Sequence, residues 1–433
     1  MLRIIYAILV SLSLTFWAFA SPFVSVRDHR LLLNGRPYRF VGANYWYGGL
    51  LGLEKDPKRG IDRLRRELDL LKANGVTNVR LMAGAEGSGL INGVTRVGPP
   101  LQPGLGKFDE HVLDGLDRVL FELGKRRMTA VIFLSNNWEW SGGFQQYLMW
   151  SGLEPSRFIN DKPTWDEYRD LVSQFYSCEP CKATYLKQVD VVVSRINKLN
   201  RKRYIDDPAI MAWELANEPR PMRAIANDAY KKWISETADH IKSKDKNHLV
   251  TIGTEGWIGT QDLKLYEDIH RNKNIDYLTI HIWPKNWAWF TGDRLADGFQ
   301  NVIRETDKYI EENAAVARSV NKPLVIEEFG LPRDDIKFDA ATPTTLRDKY
   351  YAHVLSFIAG QPGGNEYIAG ANFWAFGGSV RPINGQIFWK AGDQYLGDPP
   401  MEEQGLNTVY DIDRSTWKLI REATKAIKSH KNR

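Results

Sequence analysis

Short apolar runs recur along the chain at Arg39–Ala43, Val76–Met82, Ala130–Leu134, Ile210–Leu215, Leu249–Ile252, Tyr277–Ile280, Leu324–Ile326 and Ala369–Phe373. Their length suits strands, and their lack of polar alternation suits strands buried on both faces. Between them, apolar residues step by three and four, as in Ile61, Leu64, Leu68, Leu71 and in Val112, Leu116, Val119, Leu123. A third such series is Val189, Val192, Ile196, Leu199. That period belongs to amphipathic helices. Eight strands alternating with helices predict a parallel α/β sheet, and eight units favour closure into a (β/α)8 barrel. An open doubly wound sheet would normally carry a glycine-rich phosphate turn after its first strand, and none stands there. Val24 to Val41 reads as a small hairpin turning at Asn34-Gly35 and leading into the first main strand.

Residues 1–20 break this pattern. A basic start at Arg3, an apolar stretch from Ile4 to Phe19 and the small-x-small triplet Ala18-Phe19-Ala20 predict a signal peptide cleaved before Ser21. The stretch is short for a bilayer span, and no second one follows, so no membrane attachment is expected after cleavage. The expectation is a secreted or periplasmic protein. No Pro/Ser/Thr-rich linker divides residues 21–433, which read as one catalytic domain with a long Gly-, Pro- and Asp-rich loop, Gly377 to Tyr410, after the last strand. Loops of that length in compact domains are usually functional.

Composition changes the picture in three places. The formal net charge of +5 is dispersed, with no basic stripe of the kind nucleic acid demands. The only cysteines, Cys178 and Cys181, form Cys-Glu-Pro-Cys, and in an exported chain they predict a local disulfide rather than a metal site. Tryptophan is abundant, fifteen in all, and many stand beside Asn, Gly and acidic residues. A flat apolar ring flanked by hydrogen-bonding groups suits a sugar. Eight scattered histidines without His-Glu-x-x-His disfavour a zinc hydrolase.

The chemistry follows the apolar runs. They lead in turn to Asn44-Tyr45-Trp46, Arg80, Asn136-Asn137-Trp138, Asn217-Glu218-Pro219, Glu255, His281-Ile282-Trp283, Glu327-Glu328-Phe329-Gly330 and Trp374. In a barrel these ends converge on one face, where active sites lie. Glu218 and Glu328 would stand across the mouth from each other, as the two acids of a retaining glycosidase must. Strand alternation implies that Glu327 and Glu328 point in different directions, without saying which faces the cleft. Glu214, inside its run, reads as a buried structural partner.

These segments resemble glycoside hydrolase family 5, in particular its β-mannanase branch, over most of the chain from Ala43 to Trp374. The resemblance implies Glu218 as acid/base, Glu328 as nucleophile and Glu327 as a supporting residue. It implies that Asn217 holds the 2-hydroxyl of the sugar next to the cleaved bond, that Arg80 pairs with the nucleophile, and that Trp374 forms the floor beneath the reacting sugar. Asn137, Trp138 and Glu255 carry the mannanase likeness. Trp46 and, from the long loop, Trp389 are further candidates for sugar contact, and Tyr395 stands with Trp389. His281 is assigned an active-site hydrogen bond. Trp283 stands where the family usually has a tyrosine bonded to the nucleophile, and its N–H is the only donor it can offer.

The resulting expectation is a monomeric endo-β-1,4-mannanase that needs no cofactor or metal and acts on mannan, glucomannan or galactomannan. Rival readings are an exo-acting β-mannosidase on manno-oligosaccharides, a β-1,4-glucanase, and a non-catalytic carbohydrate-binding barrel.

Overall fold

The computed structural model describes residues 21–292, 294–359 and 365–430. The expected signal peptide therefore lies outside the described residues. Eight parallel strands form one sheet: β1 (Phe40–Asn44), β2 (Asn78–Met82), β3 (Thr129–Phe133), β4 (Ile210–Glu214), β5 (Leu249–Thr251), β6 (Leu278–Ile282), β7 (Leu324–Phe329) and β8 (Ile368–Phe373). Their order is β5-β4-β3-β2-β1-β8-β7-β6. The two ends of that order meet. Asp276 N donates to the Val250 carbonyl at 2.8 Å and His281 N to the Glu255 carbonyl at 2.9 Å, so β5 and β6 close the barrel.

Helices cover the outside: α1 (Ile61–Ala73), α2 (Glu110–Arg126), α3 (Trp165–Val172), α4 (Glu179–Val193), α5 (Asn227–Lys244), α6 (Leu263–His270), α7 (Leu295–Val320), α8 (Thr345–Ser356) and α9 (Arg414–His430). The connection from β3 to β4 carries α3 and α4, preceded by a further helix over Gly143–Trp150. Leu64, Leu68 and Leu71 of α1 and Val112, Leu116, Val119 and Leu123 of α2 are buried against the barrel, as their spacing predicts. The third series overruns its helix. Helix α4 ends at Val193, because Arg195 turns inward to pair with Asp117 at 2.8 Å, and Ile196 and Leu199 are left exposed.

A three-stranded antiparallel sheet (Val24–Arg27, Arg30–Leu33, Arg36–Pro37) precedes β1. It turns at Asn34-Gly35, both at positive φ, and also at Asp28. Cys178 and Cys181 are joined by a disulfide at the start of α4. No helix among the described residues is long and apolar enough to cross a membrane. At the other end of the chain, buried Asp413 accepts from Arg333 (2.7 Å) and Arg347 (2.8 Å) and so ties α9 to α8 and to the loop after β7.

The long segment after β8 is folded down onto the barrel mouth. Trp46 Nε1 donates to the Gly397 carbonyl (2.7 Å), Tyr395 Oη to the Gly98 carbonyl (2.5 Å) and Arg63 to the Tyr395 carbonyl (2.9 Å). Asp398 stiffens the segment from within, accepting from Gly405 N (2.9 Å) and Asn407 N (3.0 Å). The segment therefore bridges from β8 across the ends of β1 and β2, walling that side of the mouth.

Candidate active site

A cleft of about 600 Å3 opens at the C-terminal ends of the strands, and both Glu218 and Glu328 line it. Donor atoms of Glu218, His281 and Glu328 all lie within 4.8 Å of one another. The backbone sets this up. Glu218 sits just beyond β4 in the left-handed region, at φ +51°, with its N–H bonded to the Gly253 carbonyl at 2.9 Å. A non-glycine residue held there is a sign of local strain of the kind found at functional sites.

Beneath the two carboxylates lies Arg80, wholly buried on β2. Its guanidinium makes a fork with Glu214 (Nε–Oε2 2.8 Å, Nη2–Oε1 2.5 Å) and also donates to Asn217 Oδ1 (2.7 Å), Asn44 Oδ1 (3.2 Å) and Glu328 Oε1. The other Glu328 oxygen accepts from Trp283 Nε1 at 3.2 Å and faces His281 Nδ1 at 3.2 Å. The tryptophan thus meets the carboxylate with its one donor.

Glu327 does not point away from this group. Its Oε2 lies 3.7 Å from Arg80 Nε and 3.6 Å from His281 Nε2. The expected alternation fails because the β6–β7 register shifts: Ile326 is opposite Ile280, but Glu328 is opposite His281. Glu327 is the extra residue of a β-bulge, which re-aims side chains in this way. Glu328 borders the cleft, whereas Glu327 lies below it, neither oxygen having a hydrogen-bond partner among the described residues.

Charge within the cluster is shared unequally. Burial disfavours ionised Glu218, but His281, Arg220 and the Trp138 N–H outweigh it and hold the carboxyl below its usual value. Burial also opposes a charged His281, yet Glu328 and Glu218, which accepts from His281 Nδ1 at 2.6 Å, raise the ring well above its ordinary value. Burial pushes Glu214 up to about 8 and Glu255 to about 7, against the opposing pull of Arg80 and Arg220 respectively.

The remaining predicted residues divide. Trp138, Asn217, Glu255, Trp283 and Trp374 line the cleft; Trp374 presents an Nε1 with no partner among the described residues, and Glu255 is held by Arg220 at 2.5–2.6 Å. Trp46, Asn137 and Trp389 do not reach it. Trp46 is buried beneath the long segment as one of its anchors, edge-on to Trp140 (5.4 Å). Trp389 stacks on Tyr395 at 5.8 Å and borders a separate small cavity, so it braces the wall. The Asn137 amide oxygen turns instead toward Arg220 N, at 3.4 Å.

Other cleft residues escape sequence reasoning: Trp140, Trp165, Arg220, Trp287, Met401 and Glu402. Only the composition of the long loop pointed toward the last two. Burial, with the charges of Asp398, Glu328 and Glu218 adding to it, raises Glu402 well above the usual carboxylate range.

A closed barrel with paired glutamates, an arginine and tryptophans at its mouth defines a glycosidase of the TIM-barrel class. The chain matches the family description "GH family 5 beta-mannosidase-like" over residues 21–432, and it belongs to that family. It is 31% identical over 348 residues to mannan endo-1,4-beta-mannosidase 1 of Oryza sativa subsp. japonica, covering 77% of this chain and 74% of that one. With mannan endo-1,4-beta-mannosidase 1 of Arabidopsis thaliana it is 29% identical, covering 86% of each chain. Among solved structures, the family 5 mannosidase of Rhizomucor miehei superposes with a TM-score of 0.85 at 32% identity, covering 96% of this chain and 99% of that one. The endo-1,4-beta-mannanase of the same organism shares the fold, with a TM-score of 0.65 at 21% identity over 94% and 99% of the chains.

Proposed function

We propose that this glycosidase hydrolyses β-1,4-mannosidic linkages with retention of configuration, Glu328 acting as nucleophile and Glu218 as acid/base. The observation that carries this reading is that one carboxylate oxygen of Glu218 and one of Glu328 lie within 4.8 Å of each other at the ends of β4 and β7. Retaining enzymes hold their acids about 5–5.5 Å apart, whereas inverting ones leave about 6.5–9.5 Å for a water. Arg80 and the Trp283 N–H keep Glu328 oriented for attack on the anomeric carbon.

The proton for the leaving oxygen belongs to the Glu218–His281 pair, which titrates as a unit. Transfer along their hydrogen bond makes Glu218 the acid. Glycosylation of Glu328 then removes one negative charge from beside His281. Glu218, ionised after giving up its proton, takes one from the incoming water. The mannose assignment draws on the mannosidase and mannanase relatives. Export, a single domain and the monomeric state remain part of the proposal.

The wall after β8 supports attack from a chain end. Met401 and Glu402 line the cleft together with Trp374, the proposed floor for the glycone, and their segment is pinned to the loops beyond β1 and β2. In this reading the leaving group lies toward Trp138 and Glu255. The plant relatives favour the second reading, internal cleavage of mannan. Digestion of mannohexaose decides: mannose and mannopentaose as first products mean end-on action, while a mixture of intermediate lengths means internal action. NMR of the fresh product should show the β-anomer, and α-mannose at first appearance would overturn retention.

A further inference from the structure

Trp165 is a large apolar side chain that remains half exposed (50%) although it lines the cleft. A single exposed tryptophan needs no explanation by itself. This one is built into a rigid stack. Its ring lies 6.2 Å from that of Trp138, with 26° between planes, and 6.0 Å from that of Tyr168, at 15°. Trp138 and Tyr168 are themselves 6.0 Å apart at 12°. Each member is fixed: the Tyr168 hydroxyl donates to the Asn137 carbonyl at 2.7 Å, and the Arg220 guanidinium lies 5.0 Å over the Trp138 ring. Trp165 opens helix α3, whose start is locked by a reciprocal capping box between Thr164 and Glu167.

Position gives the stack a direction. The Trp138 N–H donates to Glu218, so Trp138 stands beside the scissile oxygen that Glu218 protonates. Trp165 is the ring next to Trp138, half exposed at the cleft. The leaving part of the substrate must run this way. We infer that Trp165 is a sugar-stacking platform for the second residue of the leaving group, and so sets the preference for longer manno-oligosaccharides. This rests on the proposed mannoside hydrolysis. The platform is preorganised, so little ordering is lost on binding, and ring stacking adds to it the burial of the exposed indole face.

The test compares Trp165→Ala and Trp165→Phe with wild type on p-nitrophenyl β-mannoside, mannobiose and mannotriose. The first two substrates lack a second leaving sugar. Trp165→Ala is expected to raise KM for mannotriose about tenfold, or about 1.4 kcal/mol, leaving its kcat and both constants for the two shorter substrates unchanged. Trp165→Phe should recover part of the loss. Equal losses on mannobiose and mannotriose, or no change on any substrate, overturn the platform. A wild type inactive on these three and on mannohexaose overturns the underlying reading instead.

Discussion

Arg80 donates hydrogen bonds to four side chains at once, and three of them (Asn44, Glu214 and Asn217) keep it in place for the fourth, Glu328. The other contact to Glu328 that departs from the family resemblance is the Trp283 N–H. A hydrogen bond to a charged group is worth about 1.5–3 kcal/mol. Trp283→Phe should therefore lower kcat by about 10- to 100-fold with the fold intact, while Trp283→Tyr, which restores a donor, should retain more activity than Trp283→Phe. Steady-state kinetics on mannobiose check the order; equal activity in the two variants would remove the donor role. Glu218, Glu328, Arg80 and Trp374 were legible in the sequence because each follows an apolar run and fits a motif. Trp46 and Trp389 were misread because a tryptophan at a strand end serves equally as packing, and only the folded long loop decides which. Trp165 carried no signal and Glu402 only that of the long loop, since neither adjoins a strand.

The eight strands were readable from buried runs alone, because each is sheathed on both faces. The bulge in β7 was not, since nothing in Ile326-Glu327-Glu328-Phe329 marks one residue as extra; it depends on the β6 neighbour. Helix α4 was overextended for a similar reason, as Asp117 on another helix decides where the chain leaves it. At the end of the chain, Asp413 offers a test of how elements are joined. Removing one partner of a buried ion pair typically costs about 3–5 kcal/mol, so Asp413→Asn should destabilise the protein by about 3 kcal/mol in urea denaturation at neutral pH. Burial opposes its charge, but Arg347 and Arg333 hold the carboxyl below its usual value. Its folded value is depressed, so the stabilisation is full above the ordinary carboxyl range and is lost as pH falls through the folded value. The gap between wild type and variant should close in acid; a gap that persists or widens there would rule out the ion pair as its source.

Across the whole molecule, the barrel supplies the carboxylates and the loops decide how much of the mouth stays open. If Met401 and Glu402 bar the glycone side, replacing both with glycine should let a further sugar pass. The doubly substituted enzyme is expected to release mannobiose among its first products from mannohexaose, measured by chromatography, where wild type releases mannose. An unchanged product pattern would place the barrier elsewhere in the segment, away from these two side chains.

If the wall pinned by Tyr395 and Trp46 admits only chain ends, it also fixes what the enzyme counts. A catalyst that admits only termini responds to the number of molecules present and is indifferent to their mass. A gram of long polymer is then a dilute feed, and each internal cut made by another hydrolase adds one new terminus. Turnover on intact polysaccharide should be limited by the supply of ends, and should rise in proportion as an independent endo-acting enzyme shortens the chains.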